Sequence, residues 1–247
     1  MIKTKSTPGL AKMRTSIVLD VETTGLPRRV DGFYPDIRKS VESYDDCRMV
    51  QIAWVIVKER KGEESSIVAK KSCIVKPQGY EIPRETVMIH GISTERAMEE
   101  GVEIEEVLKE LWRDIEGSGK VVIVAHNLDF DKRIIGSEVW RIYLKKKGSV
   151  EEMAWYKFYN NIMEGTGEVI KGEVCTMECG REYAKIPLPS NAAKYKAPKL
   201  GELYQALFGR RMREKHDALY DTEKCTECYL MMRKRVRENP YGHSIGN

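Results

Sequence analysis

SIVLDVETTG, residues 16–25, opens with a short apolar run, Ile17, Val18, Leu19 and Val21, and closes on a glycine. The length and β-branched content of that run predict a strand buried on both faces, as in the sheet of an α/β protein. Two acids interrupt it. Asp20 and Glu22 are two residues apart, and on a strand residues i and i+2 point to the same side, so both carboxylates emerge together at its C-terminal end. Charges of one sign on a buried strand are costly unless a cation compensates them, and carboxylate oxygens suit a hard divalent ion such as Mg²⁺ or Mn²⁺. An acid-x-acid pair alone is commonly a solvated strand end, so a metal site requires partners elsewhere in the chain.

Two other segments offer them. AHNLDFD, residues 125–131, places His126, Asn127, Asp129 and Asp131 just after the apolar run 121–124, at the turn into a helix. In an open α/β sheet such strand ends are where sites assemble. The residues alone do not choose between Asp129 and Asp131. HDALYDT, residues 216–222, carries His216 and Asp221 around the start of the last helix, where a five-residue spacing lets both reach one pocket from neighbouring helical faces. A surface or capping role for His216 is the plainer alternative.

The rest of the chain fits strands alternating with helices. Residues 49–57 and 67–75 read as a second and third strand joined by a turn at 61–65, and 120–125 as a fourth. Helical periodicity appears over 82–90, 104–115, 131–147, 151–163, 200–208 and 218–236. The aromatic residues Trp155, Tyr156, Phe158 and Tyr159 are read as core packing rather than a base-stacking platform. Residues 174–176 read as a short last strand whose Thr176 caps the following turn, and 186–198 as a basic, proline-bearing linker. Residues 1–14 form a basic arm, 15–238 one domain with excursions at about 26–48 and 145–172, and 239–247 a polar tail.

The 247 residues carry a net charge of +4, with 41% hydrophobic and 32% charged residues. That balance describes an intracellular, soluble protein, cytoplasmic or nuclear, with no membrane partner: no apolar run is long enough to cross a bilayer and no signal-peptide core follows Met1. Six cysteines in a chain of this length read as reduced thiols packed as small apolar groups. The close pairs Cys175/Cys179 and Cys225/Cys228 leave a structural zinc open as the lesser reading. The mild basic excess permits an anionic partner without identifying one.

Taken together, LDVETTG, HNLDFD and HDALYD, with IHGIS at 89–93 between the first two, resemble the motifs of the 3′–5′ exonuclease family with the DEDD carboxylate set. The likeness is to its histidine-bearing branch, which includes the proofreading subunit of bacterial replicative polymerase. The resemblance implies a ribonuclease H-like α/β fold, a mixed five-stranded sheet flanked by helices. It also selects Asp131 over Asp129 and makes Asp20, Glu22, Asp131 and Asp221 ligands of two divalent ions, Mg²⁺ or Mn²⁺, with Asp20 bridging both and His216 as general base. Thr23, Thr24, Gly25, Leu26, His90 and Asn127 are the implied contacts to the terminal nucleotide, and Arg181, Lys185, Lys194, Lys196 and Lys199 are candidates for tracking phosphates. The implied activity is removal of nucleoside 5′-monophosphates from the 3′ end of single-stranded or frayed DNA. RNA is the alternative substrate, a separate DNA polymerase a possible partner, and a non-catalytic docking module the alternative of another class. Compact family members lack excursions as long as 26–48 and 145–172, which leaves substrate choice open.

Overall fold

The computed structural model describes residues 13–60, 63–165, 167–213 and 216–238. Five strands, β1 (Arg14–Thr23), β2 (Met49–Glu59), β3 (Ser66–Ile74), β4 (Val121–Ala125) and β5 (Ile170–Cys175), form a mixed sheet in the order β3-β2-β1-β4-β5. The pairs β1·β2 and β2·β3 are antiparallel, while β1·β4 and β4·β5 are parallel, as expected where helices rather than turns connect the strands. This is the ribonuclease H-like arrangement expected from the motifs. The helices are α1 (Arg84–His90), α2 (Thr94–Glu100), α3 (Ile104–Gly117), α4 (Leu128–Lys146), α5 (Glu152–Glu164), α6 (Thr176–Cys179), α7 (Arg181–Ala184), α8 (Leu200–Phe208) and α9 (Ala218–Glu238). A small hairpin, β6 (Pro187–Leu188) and β7 (Asn191–Tyr195), stands apart from the main sheet.

The two-residue period of β1 divides the core. Ile17, Leu19 and Val21 pack with α3, α4 and α5, whose Leu108, Leu111, Ile134, Ile135, Phe158 and Ile162 are buried against them. The even-numbered face looks the other way: Val18 joins Val55, Val124 and Val174 under Leu203, Cys225, Tyr229 and Met232 of α8 and α9. Ser16 on that face hydrogen-bonds the Tyr229 hydroxyl at 2.9 Å. Asp20 and Glu22 continue the same face, so α9 is the element that covers them.

Several boundaries differ from the sequence reading. The strand begins at Arg14, which pairs with Glu59, because the β2 partner continues to that point; residues 1–12, most of the basic arm, lie outside the described residues, as do 61–62 of the β2–β3 turn and the tail 239–247. The helix expected from 131 begins at Leu128, because Asn127 adopts a left-handed conformation (φ 76°) that turns the chain directly off β4. The last main strand starts at Ile170, inside the excursion placed at 145–172, because Val121 to Ala125 supply a parallel partner along its full length. Thr176 is no cap: it opens α6, and its hydroxyl instead bonds His126 Nδ1 at 3.0 Å and the Ala125 carbonyl at 3.3 Å. The 186–198 linker holds a hairpin, with Pro187 at the first position of its two-residue strand, where proline is tolerated. Helix α2 was not anticipated; Ser93 caps it through the Arg96 N–H. Trp155, Phe158 and Tyr159 are buried, with Phe158 stacked on Trp112 at 4.7 Å, and all six cysteines are free thiols. Among the described residues no cysteine belongs to a metal-ligating group, and no helix is long and apolar enough to cross a membrane.

Candidate active site

The parallel pairing of β1 with β4 ends at Val18↔Val124, which leaves the edge of β1 beyond it free of a strand partner. The Asp131 carboxylate, on the first turn of α4, takes the vacated place by accepting the Val21 N–H at 3.2 Å. Asp131 therefore arrives from the α4 side while remaining buried, and its second oxygen, Oδ2, is buried without a hydrogen-bond partner. Asp129, two residues earlier, is exposed and bonds Arg133 at 3.0 Å.

From the opposite face comes α9. Glu22 pairs in register with Gln51 and Asp20 with Ala53, and the start of α9 is fastened to those two residues: the Ala218 N–H donates to Gln51 Oε1 (3.1 Å) and the Thr222 hydroxyl to the Ala53 carbonyl (3.5 Å). Asp217 caps the helix by accepting the Tyr220 N–H at 3.0 Å. Docked this way, Asp221 on the first turn and His216 on the segment before it meet Glu22, with one ligand atom from each within 4.8 Å of the others. His216 and Asp221 thus share one pocket as expected, but His216 precedes the helix, so the docking through Gln51 rather than neighbouring helical faces brings them together. Asp217 lies within HDALYD but is not singled out by it, and Gln51 belongs to no motif; the only sequence cue to Gln51 is a polar residue inside an apolar strand.

The electrostatics follow from crowding acids at a partly desolvated strand end. Burial, then the charges of Asp131, Glu22, Asp221 and Asp217, raise Asp20 well above the ordinary aspartate value. Burial likewise raises Asp131. Glu22 is pushed up to about 7 by burial and by Asp221 and Asp217, and Asp221 to about 7 by burial and Asp217. Carboxylate oxygens, the orphaned Asp131 oxygen among them, form a donor set that fits hard divalent cations, and positive charge is what would relieve the repulsion. These shifts fix the sign of the pH dependence. Folded-state values above the unfolded ones mean the native protein holds more protons between about pH 4 and pH 7, so its stability falls as pH rises through that window. Thermal unfolding in EDTA is expected to show a falling midpoint from pH 5 to pH 8, and millimolar Mn²⁺ to restore several degrees at pH 8 and little at pH 5. A midpoint flat across this range, with or without the ion, would show that the cluster is not under charge strain.

Around the cluster the other predicted residues fall into two groups. Thr23 and Thr24 are buried and serve the backbone: Thr23 Oγ1 donates to the Gly25 carbonyl (2.6 Å), Thr24 Oγ1 donates to the Asp46 carbonyl (3.0 Å) and accepts the Arg48 N–H (2.8 Å). Gly25 needs to be glycine, since a Cβ would lie 2.7 Å from the Asp46 carbonyl oxygen. Buried His90 accepts the Ile92 N–H on Nδ1 (3.1 Å), and burial lowers its pKa, opposed by the Thr23 backbone and helped by the charge of His216. Leu26, 76% exposed, and exposed Asn127 are open to a ligand. His126 is structural, bonded at both nitrogens to Thr176 and the Pro198 carbonyl, and burial lowers it to about 4. Of the basic candidates, Arg181 and Lys196 are engaged with Glu178 and Glu202.

Comparison with known proteins agrees with this architecture. The exonuclease family model, of the RNase T type, matches residues 17–163. Ribonuclease T of Actinobacillus pleuropneumoniae serotype 5b is 25% identical over 231 residues, covering 90% of this chain and 84% of that protein. DNA polymerase III PolC-type of Staphylococcus aureus is 27% identical over 231 residues, which cover 92% of this chain but 12% of that much longer protein. Among solved structures, the zinc-bound E. coli exonuclease I–single-stranded DNA complex superposes with a TM-score of 0.61 at 16% identity, covering 93% of this chain and 42% of that one, a likeness of fold.

Proposed function

Because this chain belongs to the exonuclease family and is a hydrolytic nuclease, we propose that it trims single-stranded or frayed DNA from the 3′ end, releasing nucleoside 5′-monophosphates. The observation that carries this reading is the convergence of Glu22, His216 and Asp221 within 4.8 Å, with Asp20 and Asp131 acting on the same cluster. Asp20, Glu22, Asp131 and Asp221 would hold two divalent ions, Mg²⁺ or Mn²⁺, and those ions, when bound, supply charge neutralisation at the phosphate and at the leaving 3′ oxygen.

The chain's own groups do the rest. Four carboxylates repel a phosphodiester unless cations accompany it, so the cluster favours nucleic acid only together with its ions, which speaks against a non-catalytic docking module. Oxygens are the preferred ligands of such ions, which leaves the His216 imidazole for the proton: lying exposed beside Glu22, it takes a proton from the attacking water and passes it to solvent. The buried Thr23–Thr24 turn, fixed to Asp46 and Arg48, holds backbone beside the cluster for the terminal nucleotide, with His90 behind it and Leu26 and Asn127 open at its rim. His216→Ala is expected to lower kcat by about 10²- to 10⁴-fold with a much smaller change in KM. A change in KM alone would make His216 a binding residue.

The RNA alternative is favoured by one observation, the similarity to ribonuclease T over most of that protein's length. Rates on matched single-stranded DNA and RNA with identical 3′ terminal sequence decide between them: faster DNA cleavage with monophosphate product supports the proposal, and faster RNA cleavage replaces DNA with RNA. The similarity to a PolC-type polymerase suits a role in company with DNA polymerisation.

A further inference from the structure

Residues 26–48 leave the site at Gly25 and return to it at Arg48, and they form a built platform. Tyr44 is fully buried and donates its hydroxyl proton to the Pro35 carbonyl at 2.8 Å, Ile37 is buried in the main core, and Arg141 of α4 bonds Asp45 at 2.6 Å. Such anchoring removes most of the entropy cost of ordering the segment when a ligand arrives. At the tip, Val30 and Phe33 exchange backbone hydrogen bonds of 2.9 and 3.0 Å around Asp31 and Gly32, whose φ angles of 51° and 83° make the tight two-residue hairpin turn with left-handed central residues. This turn holds Val30 61% and Phe33 78% exposed.

Next to Phe33, the Tyr34 ring is approached by two guanidinium groups, Arg29 at 4.3 Å and Arg133 at 5.0 Å. Arg133 is on α4 two residues beyond Asp131, so its side chain leaves the helix on the side away from Asp131, and Tyr34 packs beside the first turns of the helix that carries Asp131. Arg29 is orientated by bonds to the Tyr34 hydroxyl (2.9 Å) and the Gly32 carbonyl (3.5 Å), and two of its five N–H donors account for them. An exposed aromatic ring on an anchored backbone, with a nearby cation, in a segment that leaves and returns to the nuclease site along the chain, matches the requirements of a single strand: a π-face for a base and a charge for the phosphate beside it.

We propose that the Val30–Phe33 hairpin is a stacking subsite for the single strand upstream of its 3′ terminal nucleotide, with a base on Phe33 and its phosphate on Arg29. This rests on the exonuclease reading above. It assigns the 26–48 excursion the job of gripping the part of the substrate that is not being cut, so that long strands are favoured over short ones.

The test compares KM for a long oligodeoxyadenylate with KM for the corresponding dinucleotide. In Phe33→Ala the ratio of long-strand to dinucleotide KM is expected to rise roughly 5- to 30-fold relative to wild type, to rise similarly in Phe33→Leu, and to return in Phe33→Trp. Arg29→Ala is expected to reduce the salt dependence of long-strand binding by about one phosphate contact. A long strand made abasic upstream of its last nucleotides removes the difference between wild type and Phe33→Ala. A ratio within about twofold of wild type in Phe33→Ala, while the wild-type enzyme cleaves normally, overturns the subsite and leaves the exonuclease reading intact. If the wild type cleaves nothing, the exonuclease reading fails instead. Fluorescence anisotropy of labelled strand on folded wild type and Phe33→Ala then decides the subsite independently: equal affinities overturn it, and a weaker Phe33→Ala supports it.

Discussion

Asp20→Asn is expected to abolish cleavage, by about 10³-fold or more, while making the ion-free protein more stable. Both effects come from one geometry. Asp20 is partly desolvated and lies where the fields of Asp131, Glu22, Asp221 and Asp217 add, so its charge is useful only when cations are present. Replacing it with a neutral residue of the same shape removes that repulsion without opening a cavity. The unfolding midpoint in EDTA at pH 8 is expected to rise by roughly 2–8 °C, with the gain shrinking toward pH 5 as the acids of the wild type become protonated. The Mn²⁺-dependent rise in midpoint, present in the wild type, is expected to be much reduced in the variant. A variant that is both inactive and less stable would mark Asp20 as a structural residue.

Glu138→Leu is expected to be the most destabilising single change among the residues considered. Glu138 is 2% exposed on α4 and receives Arg48 Nε at 2.7 Å, Arg48 Nη2 at 3.0 Å and the Met49 N–H at 3.3 Å. Arg48 in turn stacks over Tyr80 at 4.6 Å and shares backbone bonds with Thr24. Removing the carboxylate strands a largely buried guanidinium, at a cost of about 3–5 kcal/mol, which for a chain of this size lowers the midpoint by roughly 6–20 °C. The double variant Arg48→Met with Glu138→Leu is expected to recover part of the loss, because the stranded Arg48 guanidinium is removed while Arg141 keeps Asp45. Loss of less than about 1 kcal/mol in Glu138→Leu, measured by urea unfolding, would show that the pair is not what joins the 26–48 platform to α4.

The central strand and its acids were legible because one rule covers both. An apolar run of that length has to be buried, and a two-residue period puts Asp20 and Glu22 on one face wherever the run goes. Which face, and what covers it, was not legible, since that depends on α9 docking through Gln51 and Ala53, and a lone glutamine in a strand gives no such signal. His216 and Asp221 do reach one pocket around a helix start at Ala218, as expected, but His216 precedes the helix, so helical faces do not account for their meeting. Asp131 could be chosen over Asp129 only through family resemblance. The physical difference between them, an accepting bond from an unpaired Val21 N–H against an exposed pair with Arg133, exists only once β4 stops short of the end of β1. The 26–48 platform read as irregular because its anchors, Ile37 and Tyr44, are isolated apolar residues with no period. The β6–β7 hairpin was read as a linker because its strands are short, without alternating apolar residues, and flank the turn residues Pro189 and Ser190.

The measurement that tests the central claim most directly is a time course on 5′-labelled and 3′-labelled single-stranded DNA in Mg²⁺, in Mn²⁺ and in EDTA, with wild type and Asp20→Asn side by side. The expected result is a ladder shortening progressively from the 3′ end, immediate release of the 3′ label as mononucleotide, silence in EDTA and silence in Asp20→Asn. Cleavage that persists in EDTA, or that Asp20→Asn carries out at the wild-type rate, would contradict the assignment of the chemistry to this carboxylate cluster.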